Sequence, residues 1–270
     1  MSRSRGLETR SKKEVEVGKD EFFREIEHPE VPWKEYTLHV PVFYPDIRFM
    51  SASFLAPLEK IRAILPSERM KPYRITPWHS TVSVTAYEYR ECDLGPYNEV
   101  SIGVPVTLDR ETPVFTGFLR KMPQEPMVYS HALPVSTEIA RVVGAEFAGY
   151  PKFVANIEFT ESDEWLVCEL RSDGQLVLTL KGRRLHAEPS PRYRLHPITY
   201  RRGYILRSEM IASGGEVGGS RSQGDVRLEL GEHQIADELR ELSLGRLLGF
   251  RYCAKMQGIL TPVIESYAGD

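Results

Sequence analysis

One lysine in this chain stands in a setting that would make its amine a nucleophile. Lys152 directly follows the turn residues Gly149, Tyr150 and Pro151, and an apolar run begins at Phe153. Charge normally holds a lysine at the surface, so the simplest interpretation of a Pro-Lys pair is an exposed residue at the start of a strand. A lysine fixed between a rigid turn and a buried strand is instead shielded from water, which favours the neutral amine. A neutral lysine amine attacks ketones and forms a Schiff base.

A carboxylate upstream of the lysine is a candidate proton donor and acceptor. It lies in the segment 95–105, which contains Tyr97 and Glu99 and alternates like a strand. Successive side chains of a strand point to opposite faces, so Glu99 and Ser101 share one face and Val100 lies on the other. A carboxylate in such a strand belongs either to a solvated outer face or to an inward-facing site.

Together the two segments resemble the acetoacetate decarboxylase family. The run Gly144-Ala-Glu-Phe-Ala-Gly-Tyr-Pro-Lys152 resembles the lysine signature of that family, and Gly95-Pro-Tyr-Asn-Glu99 resembles its Gly-x-Tyr-x-Glu motif. Members of the family form a Schiff base between the lysine and a ketone substrate. The resemblance, which extends over residues 36–267, implies that Lys152 is the nucleophile and that Glu99 exchanges protons beside it.

Three positions depart from the family pattern. Acetoacetate decarboxylase itself has two consecutive lysines, whereas Phe153 follows the lysine here. An ungapped count places Val84 where the family has a second glutamate, and Arg48 one residue away from an arginine thought to bind the substrate carboxylate. An offset of one residue turns a strand side chain to the other face, so Arg48 does not simply inherit that role. The candidate substrate-binding residues are Arg48, Tyr97 and Tyr150.

A Schiff base at Lys152 would serve two reactions, because an iminium accepts the electron pair of a bond that breaks at the neighbouring carbon. The main hypothesis is a lyase that decarboxylates an acetoacetate-like β-keto acid. Aldolase or dehydratase chemistry on pyruvate-like substrates is the alternative, and a non-catalytic small-molecule-binding barrel is a third possibility. Because Phe153 and Val84 replace charged residues, we expect weak acetoacetate turnover and a bulkier or differently functionalised keto acid as the substrate.

The composition excludes several function classes. Hydrophobic residues make up 41 % of the 270 residues and the net charge is −3. Such a chain is not wholly disordered, and it has no basic field that would gather nucleic acid. No run approaches the roughly 20 apolar residues needed to span a bilayer.

The cysteines and histidines do not form a metal motif. Cys92, Cys168 and Cys253 are far apart and odd in number, as expected for free thiols in a reducing compartment. The N-terminus lacks the apolar core of a secretory signal. We therefore expect a cytoplasmic protein that binds a small keto acid but neither nucleic acid nor membrane, that needs no metal or cofactor, and that forms a homo-oligomer.

Strand patterns dominate from residue 36 onward, with three short helices predicted at 57–65, 136–143 and 234–242. A hairpin is predicted around Asp173 and Gly174, because Asp-Gly favours a tight turn between strands. These elements predict a mainly β (α+β) fold in one domain: an antiparallel β-barrel of the acetoacetate decarboxylase-like type with a few peripheral helices.

Three further segments were assigned from composition. Residues 1–35 are predicted to be an N-terminal extension to the domain at 36–270. Three prolines predict an irregular loop at 185–197. The glycine-rich stretch 214–219 lacks the Gly-Lys-Ser/Thr ending of a phosphate-binding loop, so it predicts a mobile loop and a candidate lid.

Overall fold

The computed structural model describes residues 21–112 and 125–270 of the chain. These residues form eighteen strands and three α-helices. The strands are β1 (Glu30–Trp33), β2 (Tyr36–His39), β3 (Val42–Pro57), β4 (Met70–Pro72), β5 (His79–Glu91), β6 (Tyr97–Leu108), β7 (Met127–Ala132), β8 (Asn156–Glu161), β9 (Trp165–Ser172), β10 (Gln175–Arg183), β11 (Glu188–Pro189), β12 (Tyr193–Arg201), β13 (Tyr204–Arg207), β14 (Met210–Ala212), β15 (Glu216–Ser220), β16 (Val226–Leu230), β17 (Leu247–Leu260) and β18 (Glu265–Ala268). The α-helices are α1 (Leu58–Ile64), α2 (Glu138–Ala148) and α3 (Gln234–Glu241).

Seven of the described strands close into a barrel. Hydrogen bonds connect them in the order β17, β3, β5, β6, β7, β12 and β14, and β14 pairs again with β17. Neighbours in this circuit are antiparallel except β7 and β12, which are parallel. The predicted barrel with peripheral helices is confirmed. It differs from the predicted antiparallel barrel in the one parallel pair, β7 and β12.

A second sheet covers one outer face of the barrel. It consists of β16, β10, β9 and β8 in that order. Residues of β3, β5 and β6 that point outward, such as Met50, Val84 and Ile102, form one buried cluster with Leu166 and Leu178 of the second sheet. Burying a side chain of this size stabilises the fold by about 1.5–3 kcal/mol. The barrel wall is therefore buried on both faces, and its inward-facing side chains are free to form a site.

Helix α2 is longer than the sequence predicted. The predicted helix ended at Gly144, whereas α2 continues to Ala148 and is terminated by Gly149 at φ 66°. That left-handed conformation suits glycine, which has no Cβ. Helices α1 and α3 lie within one residue of their predicted ends. The Asp-Gly turn joins β9 to β10 as predicted.

Two segments predicted to be loops contain strands. The segment 185–197 includes β11 and the first half of β12, so the prediction of an irregular loop there was wrong. The glycine-rich stretch contains β15, which pairs with β17, and is therefore not a free lid. A Cβ at Gly218 would lie 2.5 Å from the carbonyl oxygen of His186. Glycine there permits close packing of two backbones, which composition alone does not distinguish from flexibility.

The predicted boundary at residue 36 falls between two paired strands. β1 precedes it, β2 follows it, and the two form an antiparallel hairpin. Phe23 stacks on Phe43 of β3 with ring centroids 4.6 Å apart. The division at 35/36 remains a prediction.

No helix in the described part of the chain is both long and apolar enough to cross a membrane.

Candidate active site

The barrel encloses a cavity of about 310 Å³. This volume lies at the lower end of the range of about 300–1,000 Å³ that is common for small-molecule sites. Glu99, Ser101 and Gly103 of β6 line the cavity, whereas Val100 and Ile102 point into the core on the other face. The alternation predicted for this strand is confirmed.

Lys152 and Glu99 form a buried ion pair in the wall of the cavity. The Nζ atom of Lys152 lies 2.8 Å from Oε2 of Glu99, and the two side chains are only 5 % and 6 % exposed. Both residues line the cavity. The contact joins residues 53 positions apart in the sequence. The structure thus brings together the two residues that the sequence motifs singled out.

A short backbone contact holds the two segments in place. Val135 forms a bridge with Glu99 of β6 on one side and with Val154 on the other. Lys152 therefore belongs to a stretch that is hydrogen-bonded, through one intermediate residue, to the strand carrying its partner. Because main-chain bonds fix both segments, the pair forms without further ordering of the backbone.

Gly144 of α2 packs directly on the lysine side chain. A Cβ at this position would lie 2.6 Å from both Cδ and Cε of Lys152 and 3.1 Å from its Nζ. Real carbon atoms do not approach so closely, so only glycine leaves Lys152 in its observed position. The glycine predicted to end the helix lies instead within α2 and leaves room for the Lys152 side chain.

Two aromatic rings flank the lysine. The Nζ atom lies 5.6 Å from the ring centroid of Tyr97 and 5.5 Å from that of Tyr150. An ammonium within about 6 Å of an aromatic face is attracted by the ring quadrupole. Tyr150 lines the cavity, whereas Tyr97 is buried beside the lysine without forming part of the cavity wall.

Hydroxyl groups surround the carboxylate side of the pair. Tyr89 donates a hydrogen bond of 3.1 Å to Oε1 of Glu99, and the hydroxyls of Tyr44 and Tyr97 are 3.3 Å apart. Burial raises the pKa of Tyr44, Tyr89 and Tyr97 well above the usual value, and the Glu99 carboxylate raises each further. These phenols therefore stay protonated and act as neutral hydrogen-bond donors.

Arg48 does not reach the cavity. Its Nε atom lies 2.7 Å from Oε2 of Glu88, and its guanidinium also pairs with Glu161 of β8. The next residue, Phe49, lines the cavity, so Arg48 points outward toward the second sheet. The pairing of β3 with β5 shifts register between Asp46 and Ile47, so a count of residues along β3 does not give its facing partners. The substrate-binding role considered for Arg48 is not supported by its position.

Val84 and Phe153 also lie outside the cavity. Val84 is fully buried between the two sheets, and Phe153 packs against the same core cluster. The cavity-facing neighbours of Val84 on β5 are Ser83 and Thr85. The absence of charge at Val84 and Phe153 therefore does not determine the polarity of the cavity.

The sequence motifs missed a row of hydroxyl groups on the cavity wall, which we call the hydroxyl wall: Ser51 and Ser53 of β3 with Ser83 and Thr85 of β5. The side-chain oxygens of Ser51 and Thr85 are 2.7 Å apart, as are those of Ser53 and Ser83. The alternation Ser-x-Ser in β3 and Ser-x-Thr in β5 was a signal that these hydroxyls share a face. Arg251 of β17 lies beside Ser51 in register and also lines the cavity.

The described residues contain no group of three or more His, Cys, Asp or Glu side chains placed to hold a metal ion.

Burial raises the pKa of the Cys92 thiol and of the Cys253 thiol to about 12. Thiols of this kind are mostly protonated at neutral pH and are poor nucleophiles. Neither thiol lines the cavity, which leaves the Lys152 amine as the candidate nucleophile among the described groups there.

Comparisons with solved structures show proteins of similar fold. The chain is similar in fold to acetoacetate decarboxylase from Legionella pneumophila, with a TM-score of 0.65 and 14 % identity over 88 % of this chain and 92 % of that one. It is also similar to the enduracididine biosynthesis enzyme MppR complexed with pyruvate, with a TM-score of 0.60 and 10 % identity over 89 % of this chain and 98 % of that one.

A third similar fold is that of an acetoacetate decarboxylase-like enzyme from Sphingomonas wittichii, with a TM-score of 0.55 and 13 % identity over 85 % of this chain and 93 % of that one. A comparison with curated proteins gave no match. The sequence model described as acetoacetate decarboxylase (ADC) matches residues 28–261, which is most of the chain. This protein therefore belongs to the acetoacetate decarboxylase family.

Proposed function

We propose that this protein is a lyase that forms a Schiff base between Lys152 and a β-keto acid and releases carbon dioxide. The observation that carries the proposal is the 2.8 Å contact between the Lys152 amine and the Glu99 carboxylate inside a closed barrel. A carboxylate at this distance is placed to accept the ammonium proton, which leaves the lysine as a neutral nucleophile. The distance also suits the later proton transfers.

The first half of the reaction builds the iminium. The neutral Lys152 nitrogen attacks the ketone carbon, and a proton passes from this nitrogen to the carbonyl oxygen to give a carbinolamine. Glu99, now protonated, returns its proton to the departing hydroxyl, and water leaves. Tyr89, which donates to the other carboxylate oxygen, holds Glu99 in the orientation that faces the amine. Both proton transfers thus use one carboxylate with a fixed geometry.

The second half breaks the carbon–carbon bond. The electron pair of the bond to the carboxylate moves toward the iminium nitrogen, so that carbon dioxide and an enamine are formed. The enamine carbon then takes up a proton, and hydrolysis of the new iminium returns the ketone and Lys152. The reacting carboxylate would lie among buried rings such as Tyr89 and Tyr150. Loss of its charge is favoured in such poorly solvating surroundings.

A second candidate reaction is aldol-type chemistry on pyruvate, for which the same iminium loses a proton instead of a carboxylate. The hydroxyl wall favours it, because paired serine and threonine side chains would hydrogen-bond a hydroxylated substrate. The structurally similar enzyme MppR has been solved with pyruvate and with the condensation product of pyruvate and imidazole 4-carboxaldehyde.

The proposal is tested by following two products separately. Carbon dioxide release from a panel of β-keto acids measures decarboxylation, and aldehyde consumption with pyruvate measures aldol addition. We expect carbon dioxide release from at least one β-keto acid of the panel. Lys152→Met should abolish all turnover, whereas Lys34→Met, which removes a half-exposed surface lysine, should not.

A non-catalytic binding barrel would bind keto acids and release no product from any of them. Aldehyde consumption that exceeds carbon dioxide release would assign the protein to the aldol reaction. Both outcomes would contradict the decarboxylase proposal.

A further inference from the structure

Arg251 is a cavity-lining cation, and no described residue forms an ion pair with it. Its side chain lines the cavity from β17 and is exposed at the rim. Within the described residues its guanidinium forms no hydrogen bond or ion pair. Arg48, by contrast, pairs with two glutamates on the outer face of the same barrel. A guanidinium presents a fork of donors that fits a carboxylate, so an unpaired one in a cavity wall is suited to an anionic ligand.

The neighbours of Arg251 leave space for such a ligand. Its partners in register are Gly219 of β15 and Ser51 of β3, both of which are small. A Cβ at Gly219 would meet only the carbonyl oxygen of Phe250, at 3.9 Å, so that side is open. The glycine therefore leaves the guanidinium uncovered at the cavity mouth.

The hydroxyl wall leads from Arg251 into the cavity. In each of its pairs one hydroxyl donates to the other, so the second hydroxyl keeps a proton that is free to donate elsewhere. The row Arg251, Ser51, Thr85 and Ser101 lies side by side across four strands. This row forms a continuous series of donors from Arg251 to the strand that carries Glu99.

Arg251 and the Lys152 amine lie in different parts of the cavity. Arg251 lies three strands from β6 along the barrel wall, and its side chain is exposed at the rim. The side chains of Lys152 and Glu99 are only 5 % and 6 % exposed. A ligand that binds the amine and also reaches the rim would therefore place a second polar group at Arg251.

We propose that the preferred substrate is a keto diacid: a β-keto acid whose chain ends in a second carboxylate bound by Arg251 and the hydroxyl wall. This inference rests on the proposed Schiff-base function of Lys152. The ketone would bind at Lys152, the β-carboxylate would leave as carbon dioxide, and the terminal carboxylate would remain on the product. Arg251 acts here as a residue that determines specificity, not as a participant in the bond changes.

Matched pairs of substrates test the proposal. 3-Oxohexanoate and 3-oxohexanedioate differ only in the terminal carboxylate, and the corresponding eight-carbon pair tests a longer reach. In the unmodified protein the diacid should have the higher kcat/KM, by about a hundredfold at the better chain length, as expected for hydrogen bonds to a charged group. Arg251→Gln should reduce the ratio of diacid to monoacid kcat/KM to near one, mainly through KM.

Two controls separate the possible failures. Lys255→Gln removes a positive charge from the same strand without touching the cavity, so it should keep the diacid preference. Borohydride trapping at Lys152 with the monoacids tests the Schiff base independently of Arg251. If trapping succeeds but the diacid has no advantage, or if Arg251→Gln leaves the ratio unchanged, the keto diacid proposal is wrong while the Schiff-base proposal stands. If no keto acid is trapped, the proposed function itself fails.

Discussion

Gly144 and Lys152 are in such close contact that the glycine determines where the lysine lies. A Cβ at position 144 would be 2.6 Å from the lysine Cδ and Cε atoms, and these atoms belong to the flexible end of the side chain. The collision would therefore be relieved by displacing Lys152 rather than by unfolding α2. The distance from the amine to Glu99 thus depends on a residue that carries no functional group.

The first prediction concerns Gly144→Ala. Alanine is favoured over glycine inside a helix by up to about 1 kcal/mol, so propensity alone would make the variant more stable. We expect instead a large loss of kcat/KM with little change in the unfolding free energy, because the methyl group displaces the amine. Steady-state kinetics and urea unfolding measure both quantities. Glu146→Ala on the exposed side of α2 is the matched control, and equal activity in the two variants would refute the steric account.

The second prediction is that Glu99 and Lys152 are coupled in both activity and stability. Glu99→Gln should slow turnover about 10²–10⁴-fold, because it removes the proton acceptor. It should also lower the unfolding free energy by about 3 kcal/mol, since it leaves a buried ammonium without its counter-charge. Adding Lys152→Met removes that charge, so the double variant should regain stability. Denaturant unfolding of the four proteins in this cycle measures the coupling, and additive effects would show that the pair does not interact.

The third prediction assigns Arg48 to the fold. Its guanidinium joins β3 to Glu88 of β5 and to Glu161 of β8. Arg48→Ala should therefore lower the unfolding free energy by about 1–3 kcal/mol, because it leaves the part-buried Glu88 without its partner. The KM for keto acids should stay the same. A raised KM with unchanged stability would return Arg48 to the substrate site.

The fourth prediction concerns alkaline pH. Burial raises the pKa of Tyr44, Tyr89 and Tyr97 well above the usual value, and Glu99 contributes further. The folded protein keeps these protons at a pH where the unfolded chain has lost them. The contribution of these tyrosines to the unfolding free energy is therefore fully present below about pH 10. Above that pH the unfolding free energy falls by about 1.4 kcal/mol per pH unit for each tyrosine. Phenolate absorbance and urea unfolding across this range check the slope. Phenolate formation by all tyrosines near pH 10 without unfolding would contradict the prediction.

The sequence predicted the parts of the site that local pattern encodes. Lys152 follows a Gly-Tyr-Pro turn and Glu99 lies in an alternating strand. In the structure both side chains line the cavity and contact each other. The barrel followed from many short strands with turn residues between them. These features depend on neighbours in the chain, which is why one sequence was sufficient to find them.

What the sequence did not predict depends on contacts between distant segments. Arg48 and Val84 were placed by counting along strands, and an error of one residue reverses the face of a side chain. Gly144 was interpreted as a helix end, because nothing nearby reveals that Lys152 packs on it. Arg251 lies about a hundred residues after Lys152, and only the strand order brings it to the same cavity.

Reductive trapping tests the central claim most directly. The protein is incubated with a β-keto acid, treated with borohydride, and digested for peptide mapping by mass spectrometry. Because borohydride reduces an iminium to a stable amine, we predict one substrate-derived adduct, located on Lys152 and lost in Lys152→Met. Lys34→Met should be labelled as strongly as the unmodified protein. A label on another lysine, or no label with any keto acid that the protein converts, would contradict the account.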